Sequence, residues 1–214
     1  MDLETGVDAH LHEHEFRVDV RSRTRLLNQT PTILWFTGLS GAGKSSIANV
    51  VEARLHRANR LTYLLDGDSV RLGLCRDLSF SEQDRHENVR RVAEVARLMA
   101  DAGLVVLVCF ISPYRRDREL ARELAGSHKF VEIHVHAPLE VAEARDPKGL
   151  YRLARDGAIK NFTGIDSPYQ APTQPDVRID TSQCLVEDAA ELVLRWLSAA
   201  EANFECDRDC GEDR

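Results

Sequence analysis

Short apolar runs alternate along the chain with stretches whose apolar residues recur at helical spacing. The strand-like runs are rich in β-branched and aromatic residues; they are Ile33–Thr37, Leu61–Leu65, Leu104–Ile111, Phe130–Val135 and, more weakly, Val177–Ile179. Strands that alternate with helices indicate right-handed crossovers and a parallel sheet covered on both faces. The pattern therefore predicts a three-layer α/β/α sandwich, in which the continuous apolar run Leu104–Ile111 is a central strand.

Helix boundaries are marked best in the stretch 82–101. Ser81 is in position to cap this helix, apolar residues repeat at i, i+3 and i+4 within it, and Gly103 follows it as a terminating glycine. Pro113 is predicted to begin the next helix, where its missing N–H is not needed. The amphipathic stretch Leu185–Ala202 is predicted to be the last helix.

The 214 residues fit one core domain with an extension at each end. We predict a polar, irregular N-terminal extension over 1–30, a domain over 31–202, and an acidic tail over 203–214. The stretch 145–166 breaks the rhythm of strands and helices, and residues 145–160 hold five basic and two acidic side chains. We interpret 145–166 as a mobile basic lid.

The formal net charge is −7, which argues against a general nucleic-acid binder because such a protein needs a broad basic face. There is no run of 18 or more apolar residues, and the first 14 residues lack the apolar region of a secretory signal. We therefore expect a cytoplasmic protein with neither a nucleic-acid nor a membrane partner.

The five cysteines have no zinc-like spacing, and Cys109 lies in an apolar run that favours a buried thiol. Two patterns leave a metal site open as the less favoured alternative to solvated side chains. They are the pair Cys206 and Cys210, and the alternating His10, His12 and His14.

The strongest motif follows the first predicted strand and fits G-x-x-x-x-G-K-[ST] at every defined position. Its residues are Gly38, Leu39, Ser40, Gly41, Ala42, Gly43, Lys44 and Ser45. Glycines let backbone N–H groups surround a phosphate, Lys44 reaches the β- and γ-phosphates, and the Ser45 hydroxyl holds Mg²⁺. The motif predicts a P-loop NTPase fold and a nucleoside triphosphate site with magnesium. The N-K-x-D sequence that a regulatory GTPase needs is absent.

The second predicted strand ends in Asp66-Gly67-Asp68, at the edge of the sheet where ligands bind. One of the two carboxylates can organise Mg²⁺, and the other can accept a proton from an acceptor hydroxyl. Basic residues follow this turn, and Arg85 and Asn88 share one helix face. Because arginine matches phosphate or sulfate oxygens, an anionic acceptor is indicated, and Phe80 and Phe162 are candidates to stack on a base.

An ordered set of motifs resembles the adenylylsulfate kinase (APS kinase) family from about His12 to about Trp196. The segments are Phe36–Ser45, Leu64–Asp68, Arg85-x-x-Asn88, Phe110–Pro113, Asp146–Tyr151 and Asn161–Asp166. The resemblance implies transfer of the ATP γ-phosphoryl group to the 3′-hydroxyl of adenosine 5′-phosphosulfate, in sulfate assimilation. It also implies a homodimer.

The resemblance assigns roles to residues at the matching positions. Asp68, Lys44 and Ser112 are the expected catalytic residues, with Asp68 as the base. Some members of the family carry phosphate on the serine that matches Ser112, but direct in-line transfer needs no covalent intermediate and favours a hydrogen-bond donor there. The expected substrate-binding residues are Asp66, Asp68, Arg71, Phe80, Arg85, Asn88, Ile111, Ser112, Lys148 and Phe162.

Two other interpretations remain open at this point. The first is another small-molecule kinase of the same fold, acting on a nucleoside, a sugar or a shikimate-like alcohol. The second is a non-catalytic nucleotide-binding partner in a larger sulfate-activating complex, and the intact Lys44, Ser45 and Asp68 argue against it.

Overall fold

The fold is built on a sheet of five parallel strands in the order β2-β3-β1-β4-β5. The structure, a computed structural model, describes residues 16–209, with side chains described as far as residue 199. The strands are β1 (Thr32–Thr37), β2 (Thr62–Asp66), β3 (Val105–Cys109), β4 (Lys129–His136) and β5 (Val177–Asp180). All five predicted strands are present. β1 rather than β3 is the middle strand, although β3 is paired on both sides and fully buried, as its apolar run predicts.

Helices cover both faces of the sheet, which confirms the predicted three-layer α/β/α sandwich. They are α1 (Val20–Leu27), α2 (Lys44–Arg57), α3 (Gly67–Leu72), α4 (Glu82–Asp101), α5 (Arg115–Leu124), α6 (Leu139–Arg145), α7 (Leu150–Arg155) and α8 (Val186–Asp209). Successive side chains of a strand point to opposite faces. In β1, Leu34 and Phe36 therefore join the core with α2 and α8, whereas Ile33 and Trp35 join the core with α4 and α5.

Local sequence determines the long helix α4 as predicted. The Ser81 hydroxyl oxygen accepts a hydrogen bond from the Asp84 N–H at 3.1 Å and caps the first turn. At the other end Gly103 has φ +97°, and the N–H groups of Gly103 and Leu104 bond back to the last turn. This is a Schellman ending, which a glycine at that position favours.

Pro113 does not begin α5, contrary to the prediction. The first carbonyl bonded within that helix belongs to Tyr114, while the Pro113 carbonyl accepts a hydrogen bond from the N–H of Gln170 at 2.8 Å. Ser112, just before it, has φ +37°, outside the right-handed helical region. Residues 110–113 therefore form a loop at the end of β3.

The first and last described segments are more helical than predicted. Residues 20–27 form α1, capped by the Asp19 carboxylate, within a segment predicted to be irregular. α8 runs to Asp209 rather than ending at Ala202, since the stretch contains no glycine or proline. His10, His12, His14 and Cys210 lie outside the described residues, and so does the side chain of Cys206.

One further prediction concerns the burial of a cysteine. Cys109 is buried as predicted, and this burial raises the pKa of its thiol to about 12. Among the residues whose side chains are described, 16–199, there is no cluster of three or more histidine, cysteine, aspartate or glutamate side chains suited to a metal ion. Within the same range no helix is both long and apolar enough to cross a bilayer.

Candidate active site

The loop between β1 and α2 lies at the carboxyl end of the sheet, where several of its residues line a cavity. Gly38, Gly41 and Gly43 all have positive φ, which side-chain-bearing residues rarely adopt. At Gly38 a Cβ would also lie 2.1 Å from the carbonyl oxygen of Val135, so the close approach of β4 requires glycine there. The loop leads directly into α2, whose first N–H groups have no partner within the helix and attract anions.

Lys44 is buried inside this loop. Its ammonium group donates to the carbonyl oxygens of Gly38 at 2.9 Å and Leu39 at 2.8 Å. Burial lowers the pKa of Lys44 to about 8, because a charged amine loses hydration there. A phosphate beside this amine would stabilise its charged form.

Ser45 and Asp66 bring two oxygen ligands together. The Ser45 hydroxyl donates to the Asp66 carboxylate at 2.9 Å, and the other Asp66 oxygen accepts the N–H of Asp68 at 3.1 Å. Hydroxyl and carboxylate oxygens are the ligands that Mg²⁺ prefers, and Mg²⁺ bound to nucleotides needs few protein ligands. The donor set therefore fits magnesium next to a phosphate.

Asp68 lies in the first turn of α3, opposite the segment that was predicted to be a lid. Its carboxylate forms an ion pair with Lys148, between α6 and α7, and both side chains are more than half exposed. This contact brings the predicted base and a predicted lid residue together across the opening of the cavity.

A cationic and aromatic group forms the next part of the wall. The Arg71 guanidinium lies 4.3 Å from the centre of the Phe80 ring, and that of Arg85 lies 5.5 Å from it. Arg85 is buried and donates to the carbonyl of Asn161 at 2.7 Å. Burial lowers the pKa of both arginines, which still carry their charge at neutral pH.

Two buried polar groups along the same wall have no hydrogen-bond partner within the described part of the chain. They are the side-chain Nδ2 of Asn88 and the hydroxyl of Thr163. Buried polar groups are almost always paired, since an unpaired one costs about 1–3 kcal/mol. Both residues line the cavity, so a ligand there can supply the missing partners.

Ser112 holds a backbone conformation that is unusual for serine. Its φ is +37°, its side chain is buried, and its hydroxyl oxygen accepts a hydrogen bond from the Trp35 indole N–H at 3.2 Å. Because Trp35 uses a lone pair of the oxygen, the hydroxyl proton stays available to donate.

The two candidate stacking residues differ in exposure. Phe80 is 55% exposed, so part of its ring remains accessible beside the Arg71 guanidinium. Phe162 is buried, with its ring packed edge-on against Tyr151 at 4.9 Å between centres. Both nevertheless line the same cavity.

One cavity of about 1390 Å³ unites these groups. Its wall contains all ten of the predicted substrate-binding residues and five of the eight phosphate-loop residues, namely Ser40, Gly41, Gly43, Lys44 and Ser45. Gly38 and Leu39 instead present their carbonyls to Lys44, and Ala42 is fully buried.

Sequence reasoning missed part of the cavity wall. Residues 181–185, directly after β5, line its other end. The Arg145 guanidinium bonds to the Thr181 carbonyl at 2.6 Å, and the Thr181 hydroxyl donates to the Ala42 carbonyl at 2.9 Å. The sequence did contain a signal for these residues. All parallel strands end at the same edge of the sheet, so the residues after β5 must lie near the phosphate loop.

A parallel sheet with a phosphate-binding loop, a carboxylate pair beside it and a basic segment over the opening defines a P-loop kinase. The family model for adenylylsulfate kinase matches residues 30–180. The adenylyl-sulfate kinase of Vibrio parahaemolyticus is 55% identical over 198 residues, which are 92% of this chain and 97% of that protein. The chain therefore belongs to the adenylylsulfate kinase family.

Two further relatives extend the comparison. A bifunctional enzyme of Xylella fastidiosa is 56% identical over 91% of this chain but only 32% of its own length. The solved APS kinase of Mycobacterium tuberculosis, in complex with AMPPNP and APS, is 48% identical with a TM-score of 0.77. That match covers 79% of this chain and 99% of the solved one.

Proposed function

We propose that the chain transfers the γ-phosphoryl group of ATP to the 3′-hydroxyl of adenosine 5′-phosphosulfate. The products are ADP and 3′-phosphoadenosine 5′-phosphosulfate, in sulfate assimilation. The observation that carries the proposal is the single cavity in which the phosphate loop faces Asp68, Arg85 and Asn88. The relative from Mycobacterium tuberculosis, solved with an ATP analogue and APS together, supports this pairing of substrates.

The donor nucleotide binds along the phosphate loop. Lys44 exchanges its contacts with the Gly38 and Leu39 carbonyls for phosphate oxygens, which are the better partners for an ammonium. Ser45 and Asp66 hold Mg²⁺, which when bound supplies charge neutralisation at the phosphates.

The acceptor binds on the side of α4. Arg71 and Arg85 provide the positive charge for the phosphosulfate group, and the unpartnered Asn88 amide donates to the acceptor. The adenine of the acceptor stacks on Phe80 and contacts Phe162. These residues distinguish an anionic nucleotide from a neutral sugar.

Asp68 accepts the proton of the 3′-hydroxyl as the phosphoryl group moves. The ion pair with Lys148 opens when the acceptor arrives, and Lys148 then stabilises charge on the transferred group. Ser112 donates its free hydroxyl proton to the acceptor rather than carrying phosphate, because direct in-line transfer needs no covalent intermediate. Closure of the lid excludes water from the reaction.

We also propose that the protein is a cytoplasmic homodimer that requires Mg²⁺. The oligomeric state is tested by sedimentation velocity, where a monomer would contradict the proposal. The magnesium requirement is tested by adding excess chelator, which must abolish turnover.

The experiment for the main proposal is ADP release with a panel of acceptors. The purified protein receives ATP, Mg²⁺ and either adenosine 5′-phosphosulfate, adenosine, gluconate or shikimate. We expect turnover with adenosine 5′-phosphosulfate and at most background with the others. Turnover with a different acceptor would indicate another kinase of this fold, and ATP binding without any turnover would indicate a non-catalytic partner.

A further inference from the structure

The loop that carries Ser112 is held in a conformation that its own sequence does not favour. With φ +37°, Ser112 lies where residues with a side chain are disfavoured, and such a conformation persists when the surrounding structure imposes it. Three contacts from outside the loop impose this conformation. The first is the hydrogen bond from the Trp35 indole N–H to the Ser112 hydroxyl. The other two involve Arg118 and Tyr169.

Arg118 is a buried arginine of α5 in which each of the three guanidinium nitrogens donates one hydrogen bond. One terminal nitrogen donates to the Ser112 carbonyl and the other to the Gln170 carbonyl, each at 2.7 Å. The Nε donates to the Glu132 carboxylate, also at 2.7 Å. The side chain is 2% exposed, so these bonds are shielded from water.

Tyr169 supports the same loop from its other side. Its hydroxyl donates to the Thr37 hydroxyl at 3.0 Å, and Thr37 in turn donates to the Ile111 carbonyl at 2.8 Å. The Arg118 guanidinium lies 5.9 Å from the centre of the Tyr169 ring. Tyr169 and Gln170 follow soon after the predicted lid, so this network links the chain leaving the lid to the Ser112 loop.

We propose that Arg118 is a positioning residue that fixes Ser112 for the acceptor; this inference rests on the proposed function. The planar fork of arginine reaches three acceptors in different directions at once. Lysine keeps the positive charge beside Glu132, but it offers one nitrogen on a shorter side chain in place of three, so it cannot keep the bonds to Glu132, Ser112 and Gln170 together and the tie between the loop and Gln170 is lost. Without that tie, Ser112 relaxes toward ordinary backbone angles and its hydroxyl moves away from the acceptor.

The test compares R118K with R122K. Arg122 lies one turn further along α5 and is bonded to the Phe130 carbonyl and the Asp176 carboxylate, so it carries the same change without contacting the Ser112 loop. For each variant we measure kcat, KM for the acceptor, acceptor affinity by calorimetry, affinity for an ATP analogue, and Tm. If R118K does not fold, R118M/E132Q replaces it, because that pair leaves no buried charge unpaired.

We expect R118K to lose about tenfold in kcat and to bind the acceptor about fivefold more weakly, as expected when a positioning contact is lost. Its affinity for the ATP analogue should stay within about twofold of the wild type, as should every parameter of R122K. Acceptor affinity and kcat equal to those of R122K would overturn the inference, as would equal weakening of both substrates. An inactive wild type that does not bind the acceptor would instead refute the proposed function.

Discussion

The burial of Lys44 has a measurable consequence for nucleotide binding. In the free protein burial lowers the pKa of Lys44 to about 8, so about half of the molecules carry the charge at pH 8. Phosphates placed beside the amine raise its pKa again, because an opposite charge favours the ammonium form. ATP binding near pH 8 must therefore take up about half a proton at this site.

The size of the effect on affinity follows from the same pKa. The fraction of protonated Lys44 falls from about nine-tenths at pH 7 to about one-tenth at pH 9. If the bound nucleotide keeps the amine charged throughout, the dissociation constant for Mg-saturated ATP rises about tenfold over that interval. The nearby Cys109 thiol does not interfere, since burial raises its pKa to about 12.

Isothermal calorimetry in two buffers of different ionisation enthalpy measures both quantities. K44R is the matched control, because arginine stays charged over the whole range and its nucleotide affinity should not depend on pH. An unchanged wild-type affinity between pH 7 and 9, with no proton uptake at pH 8, would refute the assignment of a titrating Lys44. Equal proton uptake by K44R would refute it as well.

Three further predictions concern other residues. D68N should lower kcat about 100-fold while leaving ATP affinity within about twofold, since a general base acts on the chemical step; near wild-type kcat would remove Asp68 from that role. T163V should raise the Tm of the ligand-free protein, because it removes an unpaired buried hydroxyl, and it should weaken the binding of one of the two substrates. T163S should match the wild type in both respects. A lower Tm of T163V with unchanged substrate affinities would contradict this. Burial, with the charges of His136 and Arg178 nearby, lowers the pKa of His134 to about 4. Between pH 6.5 and pH 4 this histidine is therefore protonated in the unfolded chain but not in the folded protein, so the free energy of unfolding falls as the pH drops through that interval. Urea unfolding at pH 7 and at pH 5 should show a smaller loss of stability in H134F than in the wild type. An equal loss in the two proteins would count against the role of His134.

Features that depend on local sequence are the ones that could be predicted. The phosphate loop, the capped helix α4 and the pair Arg85 and Asn88 on one of its faces follow from residue spacing alone. α1 was missed although Asp19 and Ser22 form its cap, because its sequence is polar with few apolar positions.

Features that depend on contacts between residues distant in sequence could not be predicted from the sequence. The sequence around Pro113 is typical of a helix start. The Pro113 carbonyl instead accepts a hydrogen bond from the N–H of Gln170, which is distant in sequence. Arg118 reads as one of several arginines on an exposed helix, and its burial depends on how Glu132 and Gln170 fold around it. The adenylylsulfate kinase resemblance supplied the roles of Ser112 and Lys148, which spacing and charge did not reveal.

The most direct test of the central claim is the identity of the product. The protein is incubated with Mg²⁺, adenosine 5′-phosphosulfate and ATP labelled in its γ-phosphate, and the nucleotides are separated and examined by mass spectrometry and phosphorus NMR. The proposed reaction predicts that the label appears on the 3′-oxygen of the sulfonucleotide in equal amount to ADP. Label released as inorganic phosphate, or attached at the 2′-oxygen, would contradict a site in which Asp68 directs the 3′-hydroxyl to the terminal phosphate.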